Sequence, residues 1–90
     1  MSDRMRLTVY MRTYCHLCDD MLAALAPWAE RHGLAVETVD IDADPELEQR
    51  YGELVPVLCG VHGGEQDEIC HYFFDARALE WYLESVKKPI

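Results

Sequence analysis

Two cysteines, Cys15 and Cys18, stand two residues apart in the stretch Tyr14-Cys15-His16-Leu17-Cys18-Asp19. They follow a short apolar run and precede a helical pattern, so both thiols fall at a strand-to-helix junction. Free backbone N–H groups and the positive end of a helix dipole point at such a junction. The thiolate is the reactive form of cysteine, and this setting lowers the thiol pKa. Three chemistries are open to the pair: buried structural thiols, half of a zinc site, or a redox dithiol. His16 between them either faces solvent or, when protonated, pushes the Cys15 pKa down. Asp19 and Asp20, if close, push it up.

No second close pair of ligands accompanies these cysteines, as a zinc site would need, and neither His62 nor His71 makes one. No metal is therefore expected. Cys59 and Cys70 fall on the two strands of an expected hairpin and read as small buried hydrophobes rather than a second redox pair. His32 and His62 read as surface residues. Trp28, Tyr51, Phe73, Phe74, Trp81 and Tyr82 read as core and helix-packing residues. Tyr10 and Tyr14 flank the thiol segment, and Tyr14 either lines a substrate groove or packs.

The elements that must hold the thiols follow from pattern. Leu7 to Met11 alternate and carry Thr, Val and Tyr, which predicts a first strand. From His16 to about His32, Cys18, Met21, Leu22, Leu25 and Ala29 recur at helical spacing, and Gly33 is placed to end the helix. Pro27 cannot donate to the helical ladder, so a kink or break is expected between Leu22 and Pro27, with a second helical piece starting at Pro27. Leu34 to Ile41 reads as a second strand. Asp44-Pro45-Glu46 supplies a capping acid and a first-turn proline for a short helix to about Tyr51, ended by Gly52. Val55 to Cys59 reads as a third strand with Pro56 at its start. Gly60 to Gln66 reads as a loose turn, and Ile69 to Phe73 as a fourth strand. Asp75 then caps a last helix with Leu79, Tyr82, Leu83 and Val86 as its buried stripe and Lys87 and Lys88 at its end. The order βαβαββα implies one four-stranded mixed sheet with three helices on its two faces, an α/β fold.

Ninety residues suit one domain, 1–90. Half the residues are hydrophobic and 28% are charged, as in an ordinary globular chain. A net charge of −9 argues against nucleic acid and anionic membrane as partners, since both would repel it. The segment Met1 to Leu7 has no long apolar stretch and no small-residue cleavage site, so it does not read as a signal peptide. A cytoplasmic location is expected, where four cysteines serve redox or metal chemistry rather than a disulfide scaffold. The protein is expected to act as a monomer.

These features together resemble the glutaredoxin branch of the thioredoxin fold. The resemblance rests on Cys15 to Asp19 after the first strand, Asp40 to Leu47, and Val55 to Leu58, and it covers nearly the whole chain. It is nearest to a bacterial group of glutaredoxin-like proteins of poorly defined function that carry Cys-His-Leu-Cys. The resemblance implies a thioredoxin-like fold in which Cys15 is the exposed nucleophile and Cys18 the resolving thiol. It implies a cis Pro56 against the dithiol, a Val55 backbone free to pair with an extended substrate, and an Arg12 placed to meet a carboxylate. The chain departs from the glutaredoxin pattern at Tyr72-Phe73-Phe74-Asp75, where a Gly-Gly pair usually precedes the aspartate. Two bulky rings there would crowd a tripeptide backbone, which counts against glutathione, so no cofactor is expected. The expected function is thiol–disulfide exchange with a protein or small disulfide. The alternative is a non-catalytic thioredoxin-fold adaptor or a metal or iron–sulfur module.

Overall fold

A computed structural model describes residues 5–87. Strand β1 (Arg6–Met11) is followed by helix α1 (His16–His32), strand β2 (Ala35–Asp40), a single 3₁₀ turn at Ile41–Ala43, and helix α2 (Pro45–Tyr51). Strands β3 (Val57–His62) and β4 (Glu65–His71) and helix α3 (Ala76–Lys87) complete the chain. The sheet order is β2-β1-β3-β4, with β1 parallel to β2 and antiparallel to β3, and β3 antiparallel to β4. The architecture is a thioredoxin-like mixed four-stranded sheet with three helices.

Alternation along the strands builds two cores. Leu7, Val9 and Leu58 face Met21 and Leu25 of α1 and Leu79, Tyr82 and Leu83 of α3. The opposite face carries Tyr10, Val57 and Cys59, which meet Ile41 and Tyr51 of α2. This split follows from the two-residue period of a strand. Each fully buried leucine contributes about 1.5–3 kcal/mol relative to exposure. The Tyr10 and Tyr51 rings stack at 4.4 Å and hold α2 on the sheet. Gly60 lies where an added Cβ would stand 2.1 Å from Cζ of Tyr82, so only glycine lets that ring cross the strand.

Several boundaries differ from the sequence expectation. The expected break at Pro27 does not occur: α1 is one helix from His16 to His32 with Pro27 inside it. Pro27 and Ala23 both face solvent, where water can satisfy the carbonyl that the proline leaves without a donor. Gly33 does end α1, with φ 65° and its N–H donating to the Ala29 carbonyl. Strand β2 is shorter by one residue at each end than expected. The loose turn is in fact a tight one: Gly63 and Gly64 have φ 60° and 84°, the positive values a two-residue hairpin turn demands. Strand β3 therefore starts after Pro56 and runs on to His62, and β4 spans Glu65–His71 rather than Ile69 to Phe73. Asp44 and Asp75 cap α2 and α3, accepting from the N–H groups of Glu46 at 2.9 Å and Ala78 at 3.1 Å. Lys87 is the last residue of α3, and Lys88 lies outside the described residues.

Two aromatics expected in the core are on the surface. Phe73 is 68% exposed and Trp81 is 73% exposed. Trp81 lies off the Leu79–Tyr82–Leu83 stripe of α3 and so turns away from the sheet, and Phe73 falls in the connection between β4 and α3. His32, expected at the surface, is half-buried and stacks on Trp28 at 5.5 Å.

Candidate active site

The strand pairing gathers four connecting segments at one end of the sheet. Met11 at the end of β1 pairs with Asp40 at the end of β2, Tyr10 pairs with Val57 at the start of β3, and Val57 pairs with His71 at the end of β4. Residues 12–15, 41–44, 53–56 and 72–75 therefore leave the sheet at this end. The thiol segment, the Val55-Pro56 segment and the Tyr72–Asp75 segment are thus brought together by topology.

Tyr14 takes a left-handed conformation, φ 61°, and its side chain is wholly exposed. A non-glycine residue in that region is uncommon and worth roughly 1–2 kcal/mol of strain. The kink turns the chain out of β1 and delivers Cys15 in an extended conformation as the cap of α1. Serine, threonine, aspartate or asparagine commonly fills that position; here the sulfur of Cys15 accepts the Cys18 N–H at 3.2 Å. The two residues are joined as a disulfide with their Cα atoms 5.2 Å apart. Cys15 is half-exposed and Cys18 is fully buried one turn into the helix. When the pair is reduced, the N–H at the sulfur and the helix end both favour the thiolate at Cys15. His16 is exposed, and exposed Asp19 donates its N–H to the Cys15 carbonyl at 3.1 Å.

The Val55–Pro56 peptide bond is cis, and Pro56 is buried. The Val55 backbone is not entirely free, as the resemblance implied: its N–H donates to the Tyr51 carbonyl at 3.1 Å, extending the last turn of α2. Tyr72 clasps this segment from the other side. Its N–H donates to the Pro56 carbonyl at 2.9 Å and its hydroxyl donates to the Glu53 carbonyl at 2.8 Å. Tyr72 has φ 66°, a backbone state that glycine adopts readily and other residues rarely.

Arg12 is held by two carboxylates, Asp42 at 3.1 Å from Nε and Glu48 at the other end of the guanidinium. The Glu48 hydrogen bond, more than any other influence, raises the Arg12 pKa above its ordinary value. Thr13 donates its hydroxyl to Asp40 at 3.4 Å. Asp40, Asp42, Glu48 and Tyr72 were not among the residues the sequence singled out for the site. The signal for the first two was present, because a strand parallel to β1 must end beside the thiol segment.

Cys59 and Cys70 do not form a second pair. Cys59 is 1% exposed in the core facing α2, whereas Cys70 is half-buried against the core facing α1 and α3. Burial pushes the Cys59 thiol up to about 11, with the Glu68 carboxylate adding to it, and burial likewise pushes Cys70 up. Among the described residues no three His, Cys, Asp or Glu side chains gather closely enough to hold a metal ion. No helix among them is long and apolar enough to cross a membrane.

A family model described as a glutaredoxin-like domain (DUF836) matches residues 6–84. The solved structure of protein Ne2328 from Nitrosomonas europaea is 35% identical, with 91% of this chain and 94% of that chain covered and a TM-score of 0.80. Protein XcR50 from X. campestris is 40% identical over 92% of this chain and 99% of that one, with a TM-score of 0.63. A mutant thioredoxin from Halobacterium salinarum is 27% identical over 98% and 79% of the two chains, with a TM-score of 0.74. No curated protein matches the chain.

Proposed function

The chain belongs to the glutaredoxin-like DUF836 family, and from that premise we propose that it is a thiol–disulfide oxidoreductase working through Cys15 and Cys18. The observation that supports this reading best is the asymmetry of the pair. The sulfur that caps α1 is half-exposed, and its partner is buried one turn behind it. In the reduced protein the Cys15 thiolate attacks one sulfur of a substrate disulfide. A mixed disulfide forms and the first substrate thiol leaves, taking a proton. The Cys18 thiolate then attacks the Cys15 sulfur, the second substrate thiol leaves, and the protein is left with its closed pair. Two electrons pass from the dithiol to the substrate.

The Cys18 N–H and the helix end lower the cost of charge on Cys15, which matters because an attacking thiol works best with a pKa near ambient pH. The Val55 carbonyl beside Pro56 receives an extended substrate segment, and Tyr14 borders its approach. His16 tunes the thiols from between them. The protein acts in the cytoplasm as a monomer without a bound cofactor.

Replacing Cys18 with serine tests the order of attack. The variant is expected to accumulate mixed disulfides on Cys15, seen as mass additions that reductant removes. A variant that traps nothing, while the wild type reduces bis(2-hydroxyethyl) disulfide, would reverse the assignment of the two thiols. Purified protein that reduces no disulfide and carries iron or zinc in proportion to chain would point to a metal-binding module instead.

A further inference from the structure

Carboxylates outnumber cations at the end of the sheet that carries the dithiol, where Arg12, Arg50 and Arg77 are the arginines, and the arginine nearest the dithiol in sequence is already engaged. Arg12 sits three residues before Cys15 and is held by Asp42 and Glu48, so this group of three carries a net negative charge. Asp40 lies against Thr13, and Asp19 is one turn from Cys15. Glu53 stands in the segment that leads to Pro56. Asp75 and Arg77, at the start of α3, bring one charge of each sign. An approaching substrate therefore meets a negative field at the end of the sheet where Cys15 is exposed.

We propose that the dithiol selects disulfides carried on cationic groups, such as a basic polypeptide segment, over anionic disulfides such as oxidised glutathione. The inference rests on the thiol–disulfide exchange proposed above and names its substrate class. Its physical basis is steering: a surface of one sign raises the local concentration and association rate of oppositely charged partners. Asp42 and Glu48 already offset the charge of Arg12 at its Nε and Nη2, so the guanidinium presents a weakened attraction to an incoming anion.

The test is a single-turnover experiment with pre-reduced protein, which needs no electron donor. Three small disulfides of similar size are compared at pH 7.5 and low salt: cystamine (dicationic), bis(2-hydroxyethyl) disulfide (neutral) and 3,3′-dithiodipropionate (dianionic). Oxidation of the protein is followed by acid quench and mass. Each rate is first divided by that compound's own rate with dithiothreitol, which removes differences in leaving-thiol acidity; relative to the neutral compound, cystamine is then expected to react roughly tenfold faster and the dianion roughly tenfold slower. The spread is expected to shrink in 1 M salt, where the screening length falls to about 3 Å. The double variant Asp42→Asn, Glu48→Gln is expected to lose most of the preference against the dianion, each rate being divided by the variant's own rate on the neutral compound. Equal ratios for all three compounds, or a faster dianion, would overturn the charge selection while leaving the exchange reaction standing. Failure of the neutral compound itself to react would overturn the exchange reaction.

Discussion

Cys15 and Cys18 sit where a strand gives way to a helix, whereas Cys59 and Cys70 sit inside strands β3 and β4. The first two share a turn of α1, and one sulfur receives a backbone N–H from the other residue. The second two belong to neighbouring strands but turn to opposite faces of the sheet, each into a different core. Burial removes water from Cys59 and Cys70 and outweighs the hydrogen bonds that Tyr51 and the Asp75 backbone offer them, so their thiols are pushed up rather than down. Four chemically identical side chains thus divide by backbone setting. A helix terminus offers unpaired donors to a sulfur; a strand interior has already committed its donors to the ladder.

The contrast breaks first, and by the largest margin, through the thiols themselves. Cys15→Ser is expected to lower the reduction of bis(2-hydroxyethyl) disulfide by at least about 10³-fold, equivalent to roughly 4 kcal/mol in the barrier. Cys59→Ala and Cys70→Ala are expected to stay within about threefold of wild type. If Cys59→Ala fell as far as Cys15→Ser, the two pairs would not differ as described. A second measurement sharpens how tightly the Cys59 strand is packed. Gly60→Ala forces a Cβ into the Tyr82 ring and is expected to cost about 3 kcal/mol in urea unfolding. A third concerns alkaline pH. The folded-state pKa of Cys59 is raised to about 11 from 9.0, so the unfolded chain loses this proton first. The contribution to stability is fully present below pH 9 and is lost as pH rises through 11, by about 3 kcal/mol. Cys59→Ala is expected to show a flatter stability profile over that window, and a profile as steep as that of wild type would remove Cys59 as the cause.

Local chemistry makes much of this molecule legible in its sequence. The acids that cap α2 and α3, the glycine that ends α1 and the alternation of β1 act within a few residues, so they can be read from the chain. The Cys15–Cys18 pair is legible for the same reason. The features that are not legible depend on distant partners. Pro27 stays inside α1 because its turn faces water, a fact set by how the helix lies on the sheet. The length of β4 is hidden by Glu65, Gln66, Asp67 and Glu68, which form a strand through pairing with β3 and not through an apolar pattern. The pairing of Arg12 with Glu48 spans 36 residues and comes from the placement of α2. The left-handed Tyr72 contradicts its own residue type, and only its bonds to Pro56 and Glu53 explain why it is held there.

The polar strand has one more consequence. β4 is the outermost strand beside β3, and an open strand edge offers unpaired N–H and C=O groups to any other extended chain. Glu65, Asp67 and Glu68 crowd three carboxylates onto its seven residues. Two copies meeting edge to edge would set these rows against each other, and the repulsion would oppose the growth of a longer shared sheet. The same residues that obscure the strand in the sequence guard the molecule against aggregation.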